Sequence, residues 1–472
     1  MGRHFDLAVI GSGPAGYVCA IRASQLGLKA VCIEEDAGLG GTCLNVGCIP
    51  SKTLLYSTHL FEQLAHEGGR LGIKASGLEC DFAQMMQRKE QVVAGLTGGI
   101  KGLFRKNKIE RIHGRASFKD DHTLVITPSG EKGEREEVTA QSIVIATGSE
   151  PIPLPFLPFD EKRIISSTGA LALTSVPKKM IVVGAGVIGL ELGSVYRRLG
   201  AEVTFIEFLP RICPTLDSEV AAAFEKILQK QGLRFHLATK VIAGHLEGEE
   251  VVLKVEGAEG QAKGQASHTA DVVLIAIGRR PYTVGLNLEA AGISTEQGGI
   301  LGIDGSFRTS KPHIYAIGDC APGAMLAHKA SEEGVCVAEI IAGQSPHINY
   351  MAIPNVVYTS PEVAAVGMTE EAAAAAGISV KTGAFPFRAV SRAHCTGELD
   401  GFVKIIADAK SDRLIGLHII CEHASEMIVE GVVAIEQQLT CKQVAAMSHP
   451  HPTYTEAIKE AALAVHKAQL HM

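Results

Sequence analysis

A chain of 472 residues exceeds one ordinary core, and at about 100–200 residues per domain its length predicts roughly three domains. Hydrophobic residues make up 46% and charged residues 20%, with 44 Lys+Arg against 51 Asp+Glu and a formal net charge of -7. That balance offers no basic stripe for nucleic acid or an anionic membrane, so neither is expected as a partner. The longest uncharged apolar run, Met180 to Leu190, is shorter than the roughly 18 residues a transmembrane helix needs and reads as buried strand and turn.

The N-terminal "MGRHFDLAVIGSG" enters a strand almost at once and leaves no room for a signal or transit peptide. The expected location is the cytoplasm; the alternative is a mature protein of the mitochondrial matrix whose presequence has been removed. "FDLAVIGSGPAG" is a short apolar strand followed by Gly11, Gly13 and Gly16 in the spacing G-x-G-x-x-G, with the helical "YVCAIRASQLG" behind it. Such glycines allow a tight turn and close backbone approach to a pyrophosphate at the positive end of a helix. The next strand, "KAVCIEE", ends on Glu34, placed to accept hydrogen bonds from a ribose.

"GGTCLNVGCIPSK" then sets Cys43 and Cys48 five positions apart, with Lys52 soon after. A metal would need about four ligands, and zinc motifs pair cysteines two to four residues apart with a second pair elsewhere; no such pair follows and no metal is expected. A structural staple across so short a loop constrains little of the unfolded chain. Redox exchange remains. Five helical rises of about 1.5 Å separate the two positions by roughly 7.5 Å, beyond the ~7 Å that a disulfide spans between Cα atoms. The segment is therefore expected to leave the ideal helix between the cysteines, at Gly47. Lys52 would supply positive charge that lowers a thiol pKa. The other nine of the eleven cysteines are scattered singly and are expected to be buried and inert.

"IVIATGS", with Thr147 and Gly148, and "VVLIAIGRRP", with Gly278, read as strands ending in glycine where the chain crosses between nucleotide-binding domains. Between them, "KKMIVVGAGVIGLELGSVYRRLGAEVTFIE" repeats the first arrangement, with Gly184, Gly186 and Gly189 on the turn and Glu207 closing the second strand at the interval that separates Gly11 from Glu34. Two dinucleotide sites follow. Glu207 would repel a 2′-phosphate and no arginine follows it directly, which favours NAD over NADP at the second. The first must hold a different cofactor if electrons are to pass between them, and FAD is the natural candidate.

From about residue 351, "GFVKIIAD" and "RLIGLHIIC" alternate partly, joined by the polar "AKSD", and an apolar helix follows from about Ala424. This hairpin-and-helix layer suits a dimerisation domain, and buried sheet packing within one subunit would leave the same pattern. "SHPHPTYTEAIKEAAL" holds His449, His451 and Glu456. Histidine has the unperturbed pKa to take protons from a dithiol at neutral pH, and a carboxylate such as Glu456 can fix its tautomer.

The ordered set "GSGPAG", "GGTCLNVGCIPSK", "GAGVIGLE", "AIGDC", "MLAHKASEEG" and "HPTYTE" resembles the pyridine-nucleotide disulfide oxidoreductase family over essentially the whole chain. "GCIPSK", in place of the "GCVPKK" of glutathione reductases, and "GVIGLE" point to members that oxidise protein-bound dihydrolipoyl groups in 2-oxo-acid dehydrogenase and glycine-cleavage complexes.

The resemblance implies an α/β fold: two Rossmann-like dinucleotide-binding domains and a C-terminal α+β dimerisation domain. FAD would occupy 1–150 and 281–350, NAD 151–280, and 351–472 would form the interface. Cys43 would exchange with the substrate and Cys48 contact the flavin. Lys52 and Glu191 would pair near the flavin's reactive nitrogen. Asp319 would bond the ribityl chain, the backbone of Ala327 and His328 would approach the flavin ring, and Gly114 would lie near the adenine. Ala116 stands where the family often has a second glycine, which weakens that last contact. Val241 would join the NAD site.

His451, held by Glu456, would serve as acid and base in the partner subunit of a homodimer whose active site crosses the interface, while His449 shapes the loop. Lipoyl domains and a core acyltransferase complex would be the partners. The alternatives are a related FAD disulfide reductase acting on a small thiol or mercuric ion, and a subunit that kept the fold without the chemistry. The mercuric reading lacks its C-terminal cysteine pair, since the chain ends "HKAQLHM".

Overall fold

A computed structural model describes residues 3–129, 134–257 and 265–472. The chain divides into two compact units. The first takes it as far as Leu54 and adds Asp81–Ile152 and Gly278–Ile348; the second comprises Leu55–Cys80, Pro153–Ile277 and Asn349–Met472.

In the first unit the strand Arg3–Ile10 pairs in parallel with Ala30–Glu34 on one side and Glu136–Ile145 on the other. Glu110–Phe118 and Ile314–Ala316 extend this sheet in parallel, and Thr123–Pro128 joins antiparallel. Parallel strands covered on both faces need continuous apolar runs, which "LAVI" and "AVCI" supply. Because side chains alternate along a strand, Leu7 and Val9 pack with Cys19, Ala23 and Val337. Ala8 and Ile10 pack on the opposite face with Ile112, Phe118 and Ile143. The helix Pro14–Gln25 starts on a proline whose missing N–H costs nothing in a first turn. It lies so close to the helix Ala327–Ile341 that a Cβ on Gly334 would come within 2.5 Å of the Ala15 carbonyl oxygen.

The second unit holds a parallel sheet of Arg234–His236, Glu202–Ile206, Lys179–Val183, Val272–Ile275 and Ile164–Ile165. The Met180–Leu190 run thus becomes strand, turn and the start of the helix Val187–Arg198. A three-stranded antiparallel sheet, Thr239–Glu247, Glu250–Gly257 and Ala266–Ala270, accompanies it. The last sheet is antiparallel, in the order Asn355–Val357, Glu362–Gly367, Leu414–Cys421, Phe402–Asp408, Val380–Pro386.

The strands Phe402–Asp408 and Leu414–Cys421 are buried almost throughout. One face packs on apolar residues of the helices Ala424–Glu436 and Glu456–Ala464. On the other, Lys404 and His418 stand opposite each other and are buried. Lys404 meets the carboxylates of Asp217 at 2.8 Å, Glu219 at 2.9 Å and Glu370, partners that a buried ammonium requires. Lys404 thus belongs to an internal ion cluster.

One expectation, about the scattered cysteines, is corrected. Seven of the nine are buried, but Cys80 is half-buried and Cys395 is exposed. Cys395 sits on the short helix Ser391–Thr396, whose polar sequence leaves that side to solvent. Burial pushes the thiols of Cys19, Cys213, Cys421 and Cys441 up to about 12, which keeps them protonated and inert.

Candidate active site

The first turn leaves the strand Arg3–Ile10 through Gly11, at φ +98°, where a Cβ would overlap the Ala146 carbonyl oxygen. A Cβ on Gly16 would overlap the Gly11 carbonyl oxygen, so the helix can start this close to the strand only with glycine there. Gly13 has nothing nearer to a built Cβ than the Gly41 Cα at 4.0 Å. Glu34, 6% exposed, ties the turn together. Its Oε2 accepts from the Ser12 N–H at 2.7 Å and the Ser12 hydroxyl at 2.6 Å, and its Oε1 accepts from the Asp36 N–H at 2.9 Å. A carboxylate offers about four acceptor positions, so Glu34 keeps capacity for a ribose hydroxyl. These residues fit a resident dinucleotide.

The strand Glu136–Ile145 delivers Thr147 and Gly148 beside that turn, and the Ala146 N–H donates to the Ile10 carbonyl. Asp319 lies on the single turn Gly318–Cys320 and accepts from the Ser149 hydroxyl at 2.6 Å. Arg279, directly after Gly278, donates through Nε to the Ser149 hydroxyl at 2.7 Å and through Nη2 to the Ser149 carbonyl at 2.6 Å. Burial pulls the Arg279 pKa down, and the charges of Asp319 and Cys48 act against that.

Ala327 and His328 open the helix Ala327–Ile341. Behind them Lys329 and Glu333 form a buried pair at 3.1 Å. Glu333 accepts from the Gly318 N–H at 2.8 Å and Lys329 donates to the Gly318 carbonyl at 3.1 Å, which fixes the turn that carries Asp319. Gly114 has a structural reason of its own: in the pairing with Pro128 a Cβ would lie 2.7 Å from the Thr127 carbonyl oxygen.

The cysteines sit on two helices. Gly41–Val46 carries Cys43, Gly47 interrupts the run at φ −141° and ψ −116°, and Cys48 begins the helix Cys48–His66. The expected break is where the sequence placed it. A Cβ on Gly47 would come within 2.8 Å of the Thr42 carbonyl oxygen, so the kink depends on glycine. Both cysteines are half-buried. The hydrogen bond between the side chains of Cys43 and Cys48 pushes the Cys43 thiol up; burial adds to this, while Lys52 opposes it. Cys48 stands at the N-terminus of its helix. Gly40 N–H donates to the Ser12 carbonyl at 3.0 Å and to the Ser12 hydroxyl at 3.2 Å, and so fastens this segment to the first dinucleotide turn.

In the second unit Gly184 takes φ +101° against the Ala276 carbonyl, and Gly189 abuts Gly184, as in the first turn. A Cβ on Gly186 would meet nothing within 4 Å. Glu207 accepts from the Ala185 N–H at 2.7 Å and the Leu209 N–H at 2.8 Å. This arrangement fits a second dinucleotide with free ribose hydroxyls. Val241 is buried in an apolar cluster with Ile206 and Leu253, which leaves its backbone for any polar contact. Glu191, 3% exposed, accepts from the Tyr358 N–H at 3.0 Å.

Near the C-terminus, His451 and Glu456 meet at 2.9 Å between Nδ1 and Oε1, with the imidazole side chain 69% exposed. Burial raises the Glu456 pKa, but the Thr453 N–H at 2.8 Å and His451 outweigh it and hold the carboxylate below its usual range.

A family model described as pyridine nucleotide-disulphide oxidoreductase matches residues 5–334, and the dimerisation domain of the same family matches residues 353–462. The chain belongs to the pyridine nucleotide-disulphide oxidoreductase family. The dihydrolipoamide dehydrogenase of Chaetomium thermophilum is 50% identical over 467 residues, 99% of this chain and 92% of that one. The mitochondrial dihydrolipoyl dehydrogenase of Pisum sativum is 46% identical over 467 residues, with 99% and 92% covered. Among solved structures, LpdA from Mycobacterium tuberculosis aligns with a TM-score of 0.89 at 28% identity, covering 98% of this chain and 99% of that one.

Several residues that build this oxidoreductase's site escape sequence reading: Ser12, Ser149, Arg279, Lys329 and Glu333. A signal existed for the last two, a Lys and Glu four apart on the otherwise small and apolar "AHKASEEG", and for Arg279 in "GRRP". The serines carry none, since their role depends on which strand end the fold brings beside them.

Proposed function

We propose that the chain is an FAD enzyme that oxidises protein-bound dihydrolipoyl groups and reduces NAD⁺. The observation that carries this reading is the Cys43–Gly47–Cys48 break fastened by Gly40 to the first dinucleotide turn; relatives named for this activity, alike from end to end, support it. FAD, when bound by Gly11, Gly13, Gly16, Glu34 and Asp319, supplies two-electron transfer between the sulfur pair and NAD⁺.

The protein's own residues handle sulfur and protons. From the oxidised pair, a substrate thiolate attacks the Cys43 sulfur and the Cys43–Cys48 bond breaks, which releases Cys48 as thiolate. The second substrate thiolate attacks the mixed disulfide and releases Cys43, closing the substrate's own disulfide. Two electrons now reside on the cysteines; His451 takes up the proton of the first attacking thiol, with Glu456 stabilising the imidazolium, and the proton of the second thiol passes to the released Cys43.

The dimerisation domain supports a homodimer, in which His451 and Glu456 would serve the partner's cysteines; Lys52 and Glu191 would pair near the flavin. The domain reading stays 1–150 and 281–350 for FAD, 151–280 for NAD, and 351–472 for the interface. Lipoyl domains and a core acyltransferase are the expected partners. The name of the pea relative favours the mitochondrial matrix over the cytoplasm. Among the described residues no helix is long and apolar enough to cross a membrane.

The test is steady-state turnover of the purified protein with dihydrolipoamide and NAD⁺, beside NADP⁺ and beside Cys48→Ser. NADH formation that prefers NAD⁺ and is lost in Cys48→Ser is expected. A flavin that NADH reduces but dihydrolipoamide does not would overturn the substrate and redirect the search to small disulfides.

A further inference from the structure

Two histidines two residues apart are held very differently. His451 presents a side chain that is 69% exposed and bonds Glu456 through Nδ1. The His449 side chain is 7% exposed, and both its nitrogens face acceptors: Nε2 lies 2.9 Å from Glu430 Oε1 and Nδ1 3.2 Å from the Met447 carbonyl. A neutral imidazole has one N–H to donate; a carboxylate and a carbonyl accept only. Satisfying both therefore requires the imidazolium.

The anchors come from both sides of the loop. Glu430 belongs to the helix Ala424–Glu436, and Lys459, on the helix Glu456–Ala464, donates to the same Met447 carbonyl at 3.2 Å. Beyond His449, the Thr453 hydroxyl donates to the Pro450 carbonyl at 2.8 Å and the Thr453 N–H donates to Glu456 at 2.8 Å. The loop is pinned before His451 by His449 and after it by Glu456.

We propose that His449 is a positioning residue: as a fixed imidazolium between Glu430 and Met447 it sets the loop from which His451 exchanges protons with the substrate. The division of labour follows from the bonds, since a histidine with both nitrogens committed cannot cycle a proton without giving up an anchor. The proposal rests on the function proposed above.

The titratable groups facing His449 are Glu430, which favours its charged form, and Lys459, which opposes it; Glu430 prevails, and the pKa of His449 is raised. The anchor is therefore complete below the ordinary histidine range and is lost as pH rises through the raised value.

The experiment measures pH profiles of kcat and KM for dihydrolipoamide with NAD⁺, and of NADH oxidation by ferricyanide, which needs no base at the thiols. The holoenzymes compared are wild type, His449→Gln, Glu430→Gln and His451→Gln. A shift of an ångström in a reacting group can cost about a hundredfold, so His449→Gln is expected to lower kcat for dihydrolipoamide roughly tenfold or more, with KM little changed and ferricyanide reduction kept. Glu430→Gln, which leaves the histidine in place, is expected to move the alkaline limb of the dihydrolipoamide profile to lower pH.

Equal losses in both reactions, or an alkaline limb unmoved in Glu430→Gln, would overturn the proposal. If His449→Gln does not fold, Glu430→Gln alone decides. Wild type without dihydrolipoamide turnover, or His451→Gln with full turnover, would instead overturn the proposed function.

Discussion

The two glycine turns share a backbone and differ in what stands over them. Gly11 and Gly184 take φ +98° and +101°, each against a carbonyl of a neighbouring strand end, and each turn is bonded from behind by a buried acid, Glu34 or Glu207. Over the first turn lies the cysteine segment: Gly40 bonds Ser12, and a Cβ on Gly41 would come within 2.7 Å of the Gly13 Cα. Around the second, Gly186 faces open space, and Val187, Phe208 and Leu209 are 39%, 56% and 38% exposed. A turn supplies donors for a pyrophosphate; its cover decides whether the ligand can leave. On the function proposed above, the first would keep its dinucleotide and the second would exchange one at each turnover.

The comparison breaks most sharply at the glycines themselves. Gly16→Ala drives a methyl into the Gly11 carbonyl oxygen, a backbone clash with no flexible partner to yield, costing ~3 kcal/mol or more. The expected outcome is at least tenfold less flavin per protein, read from the visible absorbance of the purified variant. Gly186→Ala adds its methyl to empty space. Its melting temperature and flavin content should match wild type while the KM for NAD⁺ rises about tenfold, because the methyl occupies room the pyrophosphate needs. Equal flavin loss in both variants would show that the cover does not distinguish the sites.

A step smaller is Glu207→Ala. It removes the acceptor for the Ala185 and Leu209 N–H groups and the one expected for the ribose. Bonds to a charged group contribute about 1.5–3 kcal/mol, so kcat/KM for NAD⁺ should fall roughly tenfold to a hundredfold. That for NADP⁺ should fall less, since the repulsion of a 2′-phosphate is lost too. Steady-state kinetics with both nucleotides checks this, and an unchanged NAD⁺/NADP⁺ ratio would take ribose selection away from Glu207.

Both turns, the helix break at Gly47 and the His451–Glu456 pair were legible in the sequence because each is local: glycine spacing, a strand ending on an acid, and a dyad within a few residues. The structure adds what is remote. Ser149, Arg279 and Asp319 form one chain of bonds from three separate segments, and no periodicity announces that the strands Ser149–Pro151 and Arg279–Pro281 pair. Lys404 is remote in the same sense: the carboxylates that accompany its buried ammonium, on Asp217, Glu219 and Glu370, come from elsewhere in the chain. For His449 the sequence shows no such neighbour: its carboxylate partner, Glu430, lies on a helix earlier in the chain.

The finest probe of the comparison is Ser12→Ala, which rewrites the first turn in the terms of the second, where Ala185 holds the matching place. The hydroxyl's bond to Glu34 is lost, and so is the Gly40 N–H contact to that oxygen. The Ser12 N–H still reaches Glu34 and the Gly40 N–H still reaches the Ser12 carbonyl, so the turn keeps its backbone. The expected loss is about 1 kcal/mol, read as a roughly fivefold weaker hold on flavin in a dilution or dialysis series. If flavin then leaves as fast as the nicotinamide nucleotide does, the Ser12 hydroxyl is what closes the cover. If its release is unchanged, the backbone bond from Gly40 suffices, and the difference between the two sites lies in the cysteine segment rather than in the turn.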